Sequence, residues 1–504
     1  MSKHAHILCG ERELMTEFDF SVGQLLLRQL TIHGTRVAQI DVHTGKEQTF
    51  KYILDTSRKL AIYLQKEGLT VNDAVAICSE NNLEFCIPVC AIFYLGAIVC
   101  PLNPLYSKGE LKHALTIMKP KYIFISVIAL NNMISIFKEL HWYPRVLLLN
   151  SYDNIDVPWM SMYKAMSNVS DDSIDKFQAV HVDVNNHTTA ILCSSGTTGL
   201  PKGVMWTDKN IIAIIHGSSS VVFSRFEEEL FLQSIEKYKI EYLTIVPPIM
   251  VFLAKHPLVD KYDLSSIKRI WCGAAPLSEE IEKAVTKRLN TPIIAQAYGL
   301  TETTLTVLRF PVNTAVKFGS VGKLVPGVSA KVIPLGEYET DETLGPNCKG
   351  ELCFKGDIIM KGYYNDEKST RATIDKDGWL HTGDVGYYDE EGYFYIVDRI
   401  KELIKYKGYQ VPPAELEAIL LTYSGIKDAA VIGIPNKEAG ELPMAFIVRQ
   451  ENASIRKEDI IQYVNERVSN PKRLRGGIKF VDSIPKTPSG KILRRVLRTL
   501  KSKL

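Results

Sequence analysis

The strongest chemical signal in the chain is the run Ser194, Ser195, Gly196, Thr197, Thr198, Gly199, Leu200, Pro201, Lys202, Gly203, which directly follows the apolar segment TAILC at 189–193. Glycines let backbone N–H groups approach a ligand closely, the serines and threonines add hydroxyl donors, and Lys202 adds a cation. A polyphosphate needs such a surround. The run is not a Walker A loop, because counting from Gly196 the second glycine position holds Pro201 and the hydroxyl position after Lys202 holds Gly203. A kinase or ATPase of that class is therefore excluded. A Ser/Gly-rich surface turn would leave a lysine at a set offset behind a buried strand unexplained.

The loop closely resembles the nucleotide loop of the adenylate-forming superfamily, which includes acyl-CoA synthetases, 4-coumarate–CoA ligases and beetle luciferases. Further blocks follow in that family's order: CGAAPLS at 272–278, QAYGLTETT at 296–304, GWLHTGDVGYYDEEGYFYIVDRIKELIKYKGYQVPPAELE at 378–417 and PKTPSGKILRR at 485–495. The resemblance covers nearly the whole chain, and the 378–417 run with RFEEELF at 225–231 leans towards the luciferase and coumarate-ligase branch. It implies ATP, Mg²⁺ and CoA as cofactors. Gly273, Ala274 and Ala275 then leave room for a flat adenine, Tyr298 stacks on it, Thr301 donates to the α-phosphate, and Glu302 is the hard oxygen ligand for Mg²⁺. Asp384 accepts from the ribose hydroxyls, Arg399 is a second ribose or phosphate contact, and Lys491 bridges the substrate carboxylate and the α-phosphate. Taken alone, the same residues read as a close helix–strand contact, a helix cap at Thr301–Thr303, a turn aspartate and a solvated cation.

The implied reaction joins a carboxylic acid to ATP, releasing pyrophosphate and leaving an acyl-adenylate, from which CoA takes the acyl group. Both reactants are anionic, so charge-stabilising donors and in-line positioning are required. By the same resemblance the C-terminal domain rotates about Lys401, replacing Lys491 with a face carrying Lys405, Lys407 and Gly408. One departure stands out. Only 19 residues, Trp206 to Ser224, separate the phosphate loop from RFEEELF, so several tens of residues of the family pattern, including its acid-pocket motif, are expected to be missing. His216-Gly217 is a candidate stand-in for that motif. A paralogue that binds a nucleotide or acyl ligand without turnover is therefore an alternative, as is a luciferase-like monooxygenase sharing the first half-reaction.

These residues need a scaffold. Apolar, β-branched segments at 73–79, 122–126, 145–150, 189–195, 242–248 and 269–275 alternate with amphipathic ones, implying largely parallel sheets in an α/β fold. Past Thr340, GELCFKG (350–356) and GYFYIVDR (392–399) suggest antiparallel hairpins or a small β-barrel-like subdomain. A helix from Pro413, strands at 428–434 and 443–450, a helix at about 456–468 and a basic terminal helix complete a mobile α+β domain. The expected division is 1–399, the adenylation domain, and 400–504, the lid.

The 504 residues, 46% hydrophobic, exclude a disordered or fibrous chain. Sixty basic and 57 acidic residues nearly balance, but 11 Lys/Arg against one acid fall in Lys472–Leu504. That segment reads as a phosphate-attracting surface with solvated lysines, and no motif points to nucleic acid. Nine scattered cysteines read as reduced thiols, and Cys193 as a small buried strand residue. The charged N-terminus is unlike a signal peptide, and the uncharged run Phe85–Leu102 reads as a buried helix followed by a turn rather than a membrane span. The ending Ser502-Lys503-Leu504 matches the peroxisomal address, implying that compartment and its import receptor as a partner.

Overall fold

A computed structural model describes residues 6–10, 20–150, 157–194, 201–212, 220–275, 277, 279–290, 293–311, 314–336, 342–451, 453–487 and 490–502. The expected α/β architecture is present, with a large N-terminal and a small C-terminal domain. Seven strands form the central sheet in the order 362–363, 202–207, 188–194, 98–102, 74–78, 122–125, 145–148; the last five are mutually parallel, and 202–207 runs antiparallel to both of its neighbours. Along Ala74–Cys78 the side chains divide between two cores. Val75 and Ile77 join one, Ala76 and Cys78 the other, because successive strand residues face opposite sides of a sheet covered on both.

The apolar run at 85–102 is one continuous packing device: helix Cys86–Tyr94, a left-handed turn at Gly96 (φ 63°), then the central strand Ile98–Leu102. The expected helix and turn are there, and the turn feeds a buried strand. No helix among the described residues is long and apolar enough to cross a membrane.

A second parallel sheet contains Tyr242–Ile245, Arg269–Cys272 and Ile294–Gln296. After the phosphate loop the chain forms strand Lys202–Thr207, a short helix Asp208–Ile212, and strand Ser220–Val222, which pairs with Val37–Asp41. His216 and Gly217 lie outside the described residues. The antiparallel hairpins form a five-stranded sheet in the order 8–9, 328–333, 350–356, 380–388, 394–399.

The tight turn at 399–403 leads into the C-terminal sheet, whose strands include Ile404–Tyr406, Ile426–Asn436 and Gly440–Arg449. Helix Pro413–Leu421 starts at the expected proline, and the terminal helix is Arg494–Ser502. The basic segment is less solvated than its composition suggests. Lys472 pairs with Glu415, Lys486 with Asp428, Arg494 with Glu417 and Arg498 with Glu402. Lys503 and Leu504 lie outside the described residues.

Candidate active site

Strand Thr188–Ser194 runs antiparallel to Lys202–Thr207 with Ser194 opposite Lys202. This register holds the two ends of the phosphate loop together at the edge of the buried sheet. Ser195, Gly196, Thr197, Thr198 and Gly199 lie outside the described residues. Lys202 leaves the strand to donate to Ser369 Oγ at 2.8 Å, with its ammonium 4.6 Å from the centre of the Tyr363 ring. The phenol of Tyr363 donates to Glu302 Oε1 at 2.9 Å. Thus Tyr363 joins the phosphate-loop lysine to the acidic residue, a link the sequence reading missed.

Glu302 sits in a single 3₁₀ turn, Thr301–Thr303. Its carbonyl accepts from Met360 N, and that of Thr301 accepts from the Trp206 indole at 2.8 Å. The approach to this turn depends on Gly299, where a Cβ would stand 1.5 Å from the Leu305 carbonyl oxygen. Thr304 and Leu305 are left-handed at φ 49° and 79°. Backbone strain of this kind persists only where the surroundings over-determine it. Replacing Tyr363 by Phe removes the tether on Glu302 and is expected to destabilise the protein by about 1 kcal/mol in chemical denaturation. An unchanged unfolding midpoint would show that this hydrogen bond adds nothing to stability.

Strand Arg269–Cys272 ends at Gly273, whose missing side chain leaves its α-carbon close to the carbonyl of Ala297; a Cβ there would be 3.1 Å from that oxygen. Ala274 follows with φ 72°, exposed, and Ala275 is half-buried. Three small residues thus follow one another beside Ala297, the residue before Tyr298. The Tyr298 phenol, however, is committed: it donates to Asp384 Oδ2 at 2.7 Å, and the ring lies 6.2 Å from that of Phe354 at 39°. Its part in this structure is to orient Asp384.

Asp384 is 3% exposed. Its Oδ1 stands 3.2 Å from Arg399 Nε but receives no aligned hydrogen bond among the described residues. Burial pushes this carboxyl above the usual carboxylate range against the opposing pull of Arg399, Tyr298 and Lys491. A buried acceptor oxygen without a donor is the kind of vacancy that ligand hydroxyls fill. A bulge in strand Leu380–Tyr388 and the left-handed Gly383 (φ 69°) turn Asp384 to this position.

Lys491 comes from the other domain. A turn closed by Thr487 N to Lys491 O and Gly490 N to Thr487 O presents it, and Gly490 lies against Pro248, where a Cβ would be 2.8 Å from that ring. The ammonium is half-buried and feels the charges of Arg399, Asp384, Glu402 and Glu302. Burial foremost, then the charge of Arg399, lowers its pKa to about 8. Asp384 and Arg399 thus stand together, and Lys491 of the other domain is electrostatically coupled to them and to Glu302. Lys405 does not join them: it is exposed on the strand Ile404–Tyr406, tied through its backbone N–H to Glu441. Lys407 and Gly408 form the turn of that hairpin, at φ 46° and 81°. Lys401 is exposed in the turn between the domains. Cys193 is half-buried rather than buried, and desolvation raises its thiol to about 11, making it a poor nucleophile. All nine cysteines are unpaired thiols.

A family model described as AMP-binding enzyme matches residues 26–216 and 211–364, and one described as AMP-binding enzyme C-terminal domain matches 415–491. A luciferin 4-monooxygenase of Photuris pensylvanica is 42% identical over 523 residues, covering 95% of each chain. A probable 4-coumarate–CoA ligase 3 of Dictyostelium discoideum is 34% identical over 547 residues, covering 99% of this chain and 97% of that one. Among solved structures, ATP-bound MatB from Rhodopseudomonas palustris has a TM-score of 0.84 at 24% identity, covering 95% of this chain and 99% of that one. That likeness speaks for the fold.

Proposed function

The chain belongs to the AMP-binding enzyme family, and on that premise we propose that it activates a carboxylic acid, fatty or aromatic, with ATP and passes the acyl group to CoA. The observation that carries this reading is the Arg399–Asp384 pair with the electrostatic coupling of Lys491, from the other domain, to both and to Glu302. Two anions must be brought together, and two cations, a poised carboxylate and a phosphate loop are the parts required.

The residues divide the work as follows. Asp384 Oδ1 accepts from the ribose, with Tyr298 and Arg399 fixing the carboxylate. Gly273, Ala274 and Ala275 give the base a wall without bulky side chains. Ser194 through Gly199, with Lys202, hold the β- and γ-phosphates, and Thr301 donates to the α-phosphate. Lys491 offsets the repulsion between the acid's carboxylate and the α-phosphate, as the acid's oxygen bonds to the α-phosphorus and the bond to the pyrophosphate oxygen breaks. Glu302, with Oε1 fixed by Tyr363, fits a Mg²⁺ ligand as a hard oxygen donor, directly or through water. The ion would supply charge neutralisation on the phosphates.

Asp384→Asn keeps the shape and removes the charge. It is expected to raise KM for ATP about tenfold, the equivalent of about 1.4 kcal/mol; an unchanged KM would remove Asp384 from ribose binding. The overall reading is tested by incubating the protein with ATP, Mg²⁺ and a panel of fatty and aromatic acids, with and without CoA, and measuring AMP, pyrophosphate and thioester. AMP with thioester supports ligation. An acid-dependent adenylate with light rather than thioester would favour the monooxygenase reading, and ATP binding without pyrophosphate release would favour the impaired paralogue. The short stretch from Trp206 to Ser224 is the observation that favours that last alternative.

A further inference from the structure

A second cluster of ligand-type side chains lies beneath the Asp384 loop and takes no part in the reaction above. Strand Gly350–Gly356 pairs with Leu380–Tyr388, and the bulge between them sets two steps on the first strand against four on the second: Glu351 faces Val385 while Cys353 faces His381. Glu351 and Cys353 are two residues apart and share a face. The result is a carboxylate, a thiol and an imidazole gathered at one point.

The two distances from the imidazole are those of a coordination shell. Cys353 Sγ is 3.6 Å from His381 Nδ1, and His381 Nδ1 is 3.5 Å from Glu351 Oε2. All three candidate ligand atoms lie within 4.8 Å of one another. Ligands held tetrahedrally at about 2.0 to 2.3 Å from a zinc ion stand roughly 3.3 to 3.8 Å apart. The other ring nitrogen, His381 Nε2, is 3.4 Å from Asp375 Oδ2, the arrangement by which a carboxylate orients a metal-binding imidazole. Asp375 is itself fixed, its Oδ1 accepting from Trp379 N at 2.8 Å and Asp377 N at 2.9 Å.

Burial and charge agree with the distances. Cys353 is 0% and Glu351 4% exposed, and charges so enclosed need compensation. Lys331, opposite Cys353 on the neighbouring strand, places its ammonium 4.8 Å from the centre of the Trp379 ring. A thiolate, two carboxylates, this one ammonium and a divalent cation sum to zero. Thiolate, imidazole and carboxylate together form a donor set suited to zinc rather than to Mg²⁺ or Ca²⁺.

We propose that Glu351, Cys353 and His381 bind a zinc-class divalent cation, with Asp375 orienting the imidazole, as a structural site that braces the loop carrying Asp384. The mechanical link is direct, since Glu351 Oε1 accepts from Gly383 N at 2.9 Å, one residue before Asp384. Binding ionises the Cys353 thiol, its proton passing to solvent as the Sγ–metal bond forms.

The test uses the full chain carrying Cys9→Ser and Cys348→Ser, which removes the two exposed thiols that would otherwise bind metal. After chelator treatment, Co²⁺ is titrated in and followed by absorption, and Zn²⁺ is counted by native mass spectrometry. The expected result is one ion per chain, with thiolate-to-cobalt charge transfer and the intense ligand-field bands of a tetrahedral site, and a Zn²⁺-dependent rise in Tm. Cys353→Ala should abolish the charge-transfer band. If that variant fails to fold, Glu351→Gln, which keeps the sulfur, should retain the band but need at least tenfold more Co²⁺ to saturate it. No stoichiometric ion, a band that survives Cys353→Ala, or a titration unmoved by Glu351→Gln would leave only a hydrogen-bonded network and overturn the proposal.

Discussion

Replacing Lys491 by alanine is expected to lower acid-dependent ATP–pyrophosphate exchange by about 10² to 10³, the usual consequence of deleting one charge-stabilising donor from a water-poor site. The structure adds a pH dependence. The ammonium is desolvated and shares its surroundings with Arg399, so its pKa falls to about 8. Lys491 is charged below that value and neutral above it. Consequently kcat/KM for ATP, which reports the free enzyme, should be level below about pH 8 and fall roughly tenfold per pH unit beyond it. Lys491→Arg supplies the necessary contrast: a guanidinium stays charged throughout, so the alkaline fall should vanish even where the rate is reduced. An identical fall in the arginine variant would assign it to another group, and exchange left intact in the alanine variant would remove Lys491 from the first step.

Lys405→Ala is expected to do the opposite, sparing pyrophosphate exchange while slowing thioester formation by about 10²-fold. Lys405 is exposed on its hairpin, and in the proposed reading it reaches a bound adenylate when the C-terminal domain turns about the Lys401 region. Several contacts hold the present arrangement: Asp398 Oδ2 accepts from Ala414 N at 2.9 Å, Lys255 Nζ donates to the Leu421 carbonyl at 3.1 Å, and Gly490 packs on Pro248. Hydrogen bonds of this sort are worth about 0.5 to 1.5 kcal/mol each, within what a change of bound ligand can offset in a hinge transition. Stopped single-turnover measurements of the two half-reactions separate the roles. Equal losses in both steps for both variants would refute the division of labour.

The residues far apart along the chain show where sequence reading ended. Tyr363 and Glu302 are 61 positions apart, and Tyr298 and Asp384 are 86; no local pattern announces either hydrogen bond. The resemblance places the ring of Tyr298 against the base, and the hydrogen bond from its phenol to Asp384 is a further tie that the motif does not announce. The basic C-terminal segment looked solvated because composition counts charges without their neighbours, and four of those cations lie on acids of the same domain or its approach.

The order of amino acids by itself determined the alternation of strands and helices, the apolar strand Thr188–Ser194 ahead of the glycine-rich run, the start of a helix at Pro413, and the residue types able to meet a triphosphate. These follow from periodicity, proline and glycine stereochemistry and side-chain charge, all of which act over a few neighbouring residues. Only the tertiary structure decided that Asp384 keeps an unsatisfied oxygen, that Lys491 loses much of its hydration between two domains, and that Glu351, Cys353 and His381 share one point. Each depends on strand register, a bulge or a domain contact, and a shift of one residue in pairing would reverse the side on which a side chain stands.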